Sequence, residues 1–257
     1  MKSLNFALLF LLLISFQSFP NSYWQQKVKY FIEVDIDIRN NKFHGKEDLI
    51  YYNNSTDTLK NVFFHLYYNA FQPGSMMDVR SRNLPDPDRR VMDKISNLKD
   101  DQIGYHKILY LKQNGENLFY HIEGTILEVK LNYPIFPGDS SNFFLEFDSQ
   151  IPVQIRRTGR DNKEGIRYSM SQWFPKIAAF DRQGWHANPY IAREFYSPWG
   201  DYDVKILIDN KYIVAATGEL QNPESIGYGY SSKKIFHNKK NKIQWHFIAK
   251  NVHDFVW

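Results

Sequence analysis

Histidines that could bind a metal ion are the first place to look for chemistry in this sequence. Zinc hydrolases of the H-E-x-x-H type place two histidines four residues apart on one helix face, so that both imidazoles bind the metal while the glutamate acts on water. None of the eight histidines has this spacing. His65, His121 and His246 lie in predicted strands with apolar neighbours, which favours ordinary half-buried side chains. A metal site assembled from distant residues remains open.

The segment Tyr168–Lys176 (YSMSQWFPK) has the residues to bind a polar ligand. Gln172 follows a short extended stretch, has aromatic neighbours and precedes a turn fixed by Pro175. Its side-chain amide could be presented to the backbone or amino group of a substrate. The same residues equally favour a structural role, in which Gln172 satisfies buried backbone groups and Trp173 fills the core.

Acidic residues near the aromatic segment allow a glycosidase-like pair to be imagined, with Asp181 or Glu194 as a member. Such a pair needs a defined separation between the two carboxyl groups, which the sequence does not set. The sequence contains neither the G-x-S-x-G nucleophile elbow nor a P-loop. A hydrolase that uses scattered carboxylates is therefore the least favoured of the functions that this sequence allows.

A second group of acidic residues lies between Asp78 and Asp93. Carboxylates are the ligands of calcium sites, but the spacing of these residues is not that of a calcium-binding loop. An EF-hand loop alternates its ligands regularly and has an invariant glycine, and this group has neither. We therefore expect these side chains to pair with neighbouring arginines at the surface. The acidic residues are Asp78, Asp86, Asp88 and Asp93, and the arginines are Arg80, Arg82, Arg89 and Arg90.

Composition removes several classes of function. The absence of cysteine excludes thiolate nucleophiles, Cys-ligated zinc and iron–sulfur clusters. With 32 basic and 28 acidic side chains mixed along the chain, there is no electrostatic footprint for nucleic acid. The basic run between Lys233 and Lys242 is interpreted as a solvated hairpin loop.

The N-terminus has the three parts of a secretory signal. Met1-Lys2 supplies positive charge, Phe6–Phe16 supplies a short apolar core, and Ser18 is a small residue near the expected cleavage point. The apolar run is shorter than the roughly 20 residues that a spanning helix needs, so no stable membrane anchor is expected. We predict a signal peptide over residues 1–20 and a mature, exported domain over 21–257, in the periplasm, at the cell envelope or secreted.

Alternation of apolar and polar residues predicts strands over much of the chain. The clearest is Val28–Ile38, followed by a tight turn at Asn40-Asn41 and a strand at Phe43–Tyr52. Helical periodicity is almost absent, which predicts an all-β domain built as an antiparallel meander. The remaining predicted strands are Val62–Tyr68, Thr125–Leu131, Asn142–Phe147, Asp203–Ile208, Tyr212–Ala216 and Lys242–Ile248, with Pro137-Gly138-Asp139 as a turn.

Two stretches depart from this pattern. Phe71–Gly104 is rich in proline and charge, and we expect a surface excursion with one helical turn near Met92–Leu98. Gln154–Trp199 combines arginines with aromatic residues and is interrupted by prolines. Long irregular segments of this kind often carry function.

Several tracts together resemble the N-terminal domain of the aminopeptidase N family of zinc metallopeptidases, peptidase family M1, in its exported bacterial branch. The resemblance extends over nearly all of the mature chain. It rests on Tyr23–Gln26, Gly45, Val62–Phe71, Arg157–Gly165, Ser171–Lys176, Gly184–His186, Ala216–Gly218 and Asn251–Trp257.

The resemblance implies a saddle-shaped, sandwich-like β domain that packs on a thermolysin-like catalytic domain, in cis or in trans. In the family that second domain carries the zinc ion, the G-x-M-E-N strand and the H-E-x-x-H helix. Neither motif occurs in this sequence. The implied role is therefore a domain that shapes the substrate cleft and is inactive alone, with no catalytic residue, metal ligand or cofactor of its own.

The resemblance gives one substrate-binding role to this chain. In the family, the N-terminal domain lends the active site a glutamine from the segment that matches Ser171-Gln172, where it contacts the peptide near its N-terminus. By this resemblance we assign the substrate-binding role to Gln172 and to no other residue of this chain. A polar residue usually follows two positions later in the family, and this sequence has Phe174 there.

A free-standing binding module of the cell envelope on the same β scaffold is the alternative. Its contact surface would be the aromatic and arginine-rich segment Arg156–Trp199. Because a fold does not fix a function, the scaffold is compatible with both roles.

Overall fold

The computed structural model describes residues 23–192, 195–232 and 242–257. The predicted signal peptide, Glu194, and the part of the basic run from Lys233 to Lys240 lie outside the described residues.

Strands dominate the described chain. Helix α1 covers Met76–Asn83, α2 covers Pro223–Ile226, and a 3-10 helix covers Tyr67–Ala70. In the described ranges, no helix is long and apolar enough to cross a membrane. The strands are β1 (Lys27–Asp37), β2 (Lys42–Tyr52), β3 (Leu59–His65), β4 (Tyr105–Gln113), β5 (Glu116–Asn117), β6 (Tyr120–Glu123), β7 (Ile126–Ile135), β8 (Ser140–Gln150), β9 (Gly159–Arg160), β10 (Tyr168–Ser169), β11 (Lys176–Ile177), β12 (Phe180–Asp181), β13 (Gly184–Trp185), β14 (Gly200–Asp209), β15 (Glu219–Leu220) and β16 (Lys242–Val252).

An eight-stranded sheet organises the domain, in the order β15-β16-β14-β1-β2-β8-β4-β5. β1 and β2 form the predicted hairpin, and Asn41 adopts the left-handed conformation (φ 55°) that such a turn needs. On its other side β1 pairs in parallel with β14, so that Val28 lies opposite Gly200. The prediction of a simple meander is therefore wrong at this central pairing.

A second sheet covers one face of the first, in the order β11-β3-β7-β6. Alternate residues of the long strands point into the space between the sheets, as in β1, where Val28, Tyr30 and Ile32 are buried. Phe64 of β3 meets Phe143 of β8 edge to face at 6.2 Å. This arrangement confirms the all-β, sandwich-like fold class.

Three local predictions need correction. Tyr67 and Tyr68 belong to the 3-10 helix and not to a strand. The segment 212–216 has no regular secondary structure and pairs with no described strand. Residues 92–98 form hydrogen-bonded turns without a helix. The helix of this region is α1, whose first turn is capped by the Ser75 side chain at 3.2 Å from the Asp78 amide.

Candidate functional site

The segment 168–176 and the last residues of the chain form one unit. Met170 and Trp257 exchange two backbone hydrogen bonds, of 2.7 and 3.0 Å. The indole Nε1 of Trp173 donates to the backbone oxygen of Phe255 at 3.0 Å. Two tracts that the sequence singled out, about eighty residues apart, are therefore held together.

Gln172 lies at the centre of this unit and is buried, with 1% of its surface exposed. Its backbone is in the left-handed region (φ 55°), a conformation that costs a non-glycine residue about 1–2 kcal/mol. The side-chain Nε2 is buried and has no hydrogen-bond partner among the described residues. Gln172 therefore has both an unfavourable backbone conformation and a buried polar atom without a partner among the described residues. Contact between Gln172 and a peptide stays a prediction, because in this form the amide faces the interior.

Phe174, the departure from the family pattern, belongs to the core. Its ring meets Tyr30 at 5.3 Å and Tyr202 at 6.1 Å, both edge to face, and the residue is fully buried. A polar side chain here would lose this packing and would need a buried partner.

Lys176 and Asp254 form a buried ion pair in the same unit. The Lys176 ammonium donates to Asp254 Oδ1 at 2.9 Å and to the backbone oxygen of His253 at 2.7 Å. Their side chains are 1% and 8% exposed. Burial lowers the pKa of Lys176, and the pairing with Asp254 offsets part of that shift. The pair fixes the position of the chain end relative to the 172–176 turn.

Beside this unit lies an open groove of about 960 Å³, which we call the apolar groove. Its walls include Ile166, Tyr212, Ile213 and Val256, and its floor includes Trp257. Ile213 is 63% exposed and Ile166 is 54% exposed. The unpaired segment 212–216 thus leaves apolar side chains in water, which is typical of an interaction surface.

A second cleft, of about 520 Å³, is lined by different residues and is called here the aromatic cleft. Its lining residues come from four separate stretches of chain. They are residues 23–26, 179–183 and 196–199 together with His253.

Asp181, the candidate glycosidase acid, lies in the aromatic cleft. His186 Nε2 lies 2.8 Å from Asp181 Oδ2, the Tyr196 hydroxyl donates to Oδ2 at 3.1 Å, and the Gln183 amide donates to Oδ1 at 2.8 Å. Burial alone would raise the pKa of Asp181, but these hydrogen bonds outweigh it and hold the pKa below its ordinary value. An acid held ionised in this way is not suited to be a general acid.

The acidic group around α1 is engaged by arginine. Both oxygens of the buried Asp78 carboxylate accept from Arg82, at 3.0 and 3.1 Å. Asp88 accepts from Arg90 at 2.6 and 2.9 Å. The prediction of arginine pairing is confirmed for these two acids, although Asp78 is in the interior and not at the surface.

The three strand histidines fall into different environments. His65 is buried and stacks on Tyr67 at 5.0 Å, and His246 lies 2.7 Å from Asp203. His121 has 73% of its side chain exposed, so the prediction of a half-buried residue is wrong there. Within the described ranges, no three His, Cys, Asp or Glu side chains lie close enough together to hold a metal ion.

Two arginines near the start of the Arg156–Trp199 segment, Arg156 and Arg160, have buried side chains, whereas Arg157 between them is exposed. The side chains of Arg156 and Arg160 are 5% and 10% exposed. Arg156 donates to the Tyr190 hydroxyl at 3.3 Å, and Arg160 donates to the backbone oxygen of Asp101 at 2.8 Å. Only the later part of the segment, from Ala179 onward, contributes to the aromatic cleft.

Comparison with known proteins yields structural matches only. No protein-family model matches the chain, and no curated protein matches it. An M1 zinc metallopeptidase from Deinococcus radiodurans has a TM-score of 0.45 and 12% sequence identity, over 87% of this chain and 39% of that protein. A two-domain M1 zinc metallopeptidase bound to L-tryptophan has a TM-score of 0.47 and 11% identity, over 91% of this chain and 42% of that protein. The chain thus spans about two fifths of the length of the solved proteins it matches.

Sequence reasoning did not find the aromatic cleft as a site. Tyr23 and Trp24 are far in sequence from Tyr196 and Trp199, and no spacing rule connects them. The available signal was the density of tryptophan and tyrosine in residues 185–202 and at the start of the domain. It indicates a binding surface in general, without saying which rings share it.

Proposed function

We propose that this chain is the non-catalytic N-terminal β domain of an exported zinc aminopeptidase-like metallopeptidase. It packs on a catalytic domain through the apolar groove, and Gln172 contributes to the neighbouring substrate cleft. The described residues do not fit a zinc ion, so the proposal assigns zinc to the catalytic domain.

The observation that carries the proposal is the state of Gln172. A left-handed backbone and a buried amide nitrogen without a partner both cost free energy in the isolated domain. Such penalties persist where a function requires them, and they cluster at ligand-binding sites. A repositioned Gln172 side chain would give its amide a partner in a peptide or in a second domain.

The apolar groove supports the packing part of the proposal. It lies directly against Ser171 and Trp257, so a domain covering it would bring its own surface to the Gln172 turn. Burial of exposed groups such as Ile213 contributes roughly 25 cal/mol per Å² of apolar surface removed from water.

The first experiment is to read the coding sequence beyond the codon for Trp257 and to express the whole open frame. We expect the frame to continue into G-x-M-E-N and H-E-x-x-H, and the whole product to release N-terminal residues from peptide amides in a zinc-dependent way. Zinc-dependent turnover by residues 21–257 alone would contradict the inactivity of this domain.

The role of Gln172 is tested in that whole protein by Gln172→Gly, which relieves the left-handed backbone and removes the amide. We expect a loss of kcat/KM of about tenfold or more, equivalent to about 1.4 kcal/mol, together with unchanged or higher stability. Unchanged kinetics would remove the substrate role.

The packing surface is tested by Ile213→Asp, with Phe119→Asp as a matched control. Phe119 is 88% exposed and follows β5, at the opposite edge of the large sheet from β15. Ile213→Asp should weaken association between the separately expressed domains, and Phe119→Asp should not. Equal effects of the two substitutions would argue against the groove.

The alternative, a free-standing cell-envelope binding module, is favoured by one separate observation. The aromatic cleft is a formed site built partly from the 179–199 region, and its lining needs no second domain.

A further inference from the structure

The aromatic cleft presents rings that are exposed and yet fixed in place. Trp199 is 47% exposed, and its ring packs against the His253 ring at 5.8 Å between centroids, with 70° between the ring planes. Tyr196 is 51% exposed, and its hydroxyl is tied to Asp181. Trp24 stacks on Phe180 at 6.0 Å. Flat apolar surfaces held in this way lose little conformational entropy when a ligand stacks on them.

The charges of the cleft lining balance. It contains the carboxylate of Asp181 next to the guanidinium of Arg182, and its other polar members, such as Gln183 and Ser197, are uncharged. A strongly anionic or cationic ligand would gain from one of these charges and lose to the other. The lining therefore favours an uncharged ligand with many hydrogen-bonding groups.

Hydrogen-bonding side chains belong to the same lining as the aromatic rings. Among the described residues, Asp181 Oδ1 accepts one hydrogen bond, from the Gln183 amide, so its second lone pair is available to a hydroxyl. The exposed side-chain amide of Gln183 supplies both donors and an acceptor to the cleft. Apolar ring faces next to such groups match a molecule with one C–H face and a rim of hydroxyls.

We infer that the aromatic cleft is a binding site for a neutral saccharide. A pyranose ring stacks its C–H face on Trp199 or Trp24, and its hydroxyls bond to Asp181 and Gln183. At about 520 Å³, the cleft falls in the size range of small-ligand sites and accommodates a short oligosaccharide. This site is separate from Gln172 and from the apolar groove, and no bond is made or broken in it.

The test is a titration of purified residues 21–257, followed by tryptophan fluorescence and by calorimetry. The probes are cellotriose, maltotriose and triacetylchitotriose, and the peptide control is tryptophyl-alanine amide. We expect saturable binding of at least one saccharide at millimolar or lower concentration.

Trp199→Ala should raise the Kd of that saccharide by about tenfold or more. Phe119→Ala, at an even more exposed aromatic residue on another surface, should leave the Kd unchanged. Tyr196→Phe keeps the ring and removes its bond to Asp181, so we expect a smaller loss. Circular dichroism and melting curves establish that each variant is folded.

Absence of saturation with all three saccharides would overturn the inference, and so would an undiminished affinity in a folded Trp199→Ala variant. Saturable binding of the peptide control without any saccharide would reassign the cleft to peptides. Since the assay uses this domain alone, failure of the aminopeptidase proposal would leave its outcome unchanged. A folded Ile213→Asp variant should bind the saccharide normally.

Discussion

The buried ion pair between Lys176 and Asp254 gives a demanding prediction. In Lys176→Met the apolar part of the side chain is kept, but the Asp254 carboxylate loses its cation while 8% exposed. Its Oδ2 atom already has no hydrogen-bond partner among the described residues. The variant therefore leaves a buried charge without compensation.

Removing one member of a buried ion pair costs about 3–5 kcal/mol. For a domain of this size, each kcal/mol shifts the melting temperature by about 2–4 °C, so we expect Lys176→Met to lower it by about 6–20 °C. Urea denaturation followed by far-ultraviolet circular dichroism measures the same change as a free energy of unfolding.

The double variant Lys176→Met/Asp254→Leu is the control, since it removes both charges. Replacing a buried pair by apolar residues is often close to neutral, so we expect the double variant to recover most of the loss. A single variant within about 1 kcal/mol of the original protein, the ceiling typical of an exposed pair, would refute the assignment of a buried, interdependent pair.

Two further predictions concern stability. Glu47 is fully buried, and neither of its carboxylate oxygens has a hydrogen-bond partner among the described residues. This burial raises the pKa of Glu47 above the ordinary value of 4.5. Above pH 4.5 the folded protein therefore keeps a proton on Glu47 that the unfolded chain releases. Stability should fall as pH rises from that value towards the folded-state pKa, by up to about 1.4 kcal/mol per pH unit, and Glu47→Gln should abolish this slope in urea titrations across the range. Gly218→Ala should cost at least about 1–2 kcal/mol, because φ is 90° and a Cβ would lie 2.3 Å from the backbone oxygen of Ile248. Gly74→Ala, at φ 81° with nothing within 4 Å, should cost only the conformational part, and equal losses in the two variants would argue against the clash.

The long strands were predictable because their signal is local. β1 alternates apolar and polar residues along its length, and the hairpin to β2 follows from Asn40-Asn41. The parallel pairing of β1 with β14 has no local signal, since the partners are more than 160 residues apart. The segment 212–216 has the composition of a strand, yet it remains unpaired and forms a wall of the apolar groove.

The candidate site was predictable in part. The 168–176 tract was singled out from its residue types, and the structure joins it to the chain end. The burial of Gln172 and its left-handed backbone could not be foreseen, because both depend on packing against residues distant in sequence. The aromatic cleft was missed for the same reason.

The parallel pairing of β1 with β14 has a consequence for how the chain folds. One long edge of β1 stays unpaired until Gly200–Asp209 has been made, which at ordinary synthesis rates takes about 10–30 s. An exposed strand edge over that interval is a template for aggregation. Contacts so far apart in sequence also make folding slow. A chaperone that covers the nascent β1 would therefore protect the chain from aggregation until β14 is available for pairing.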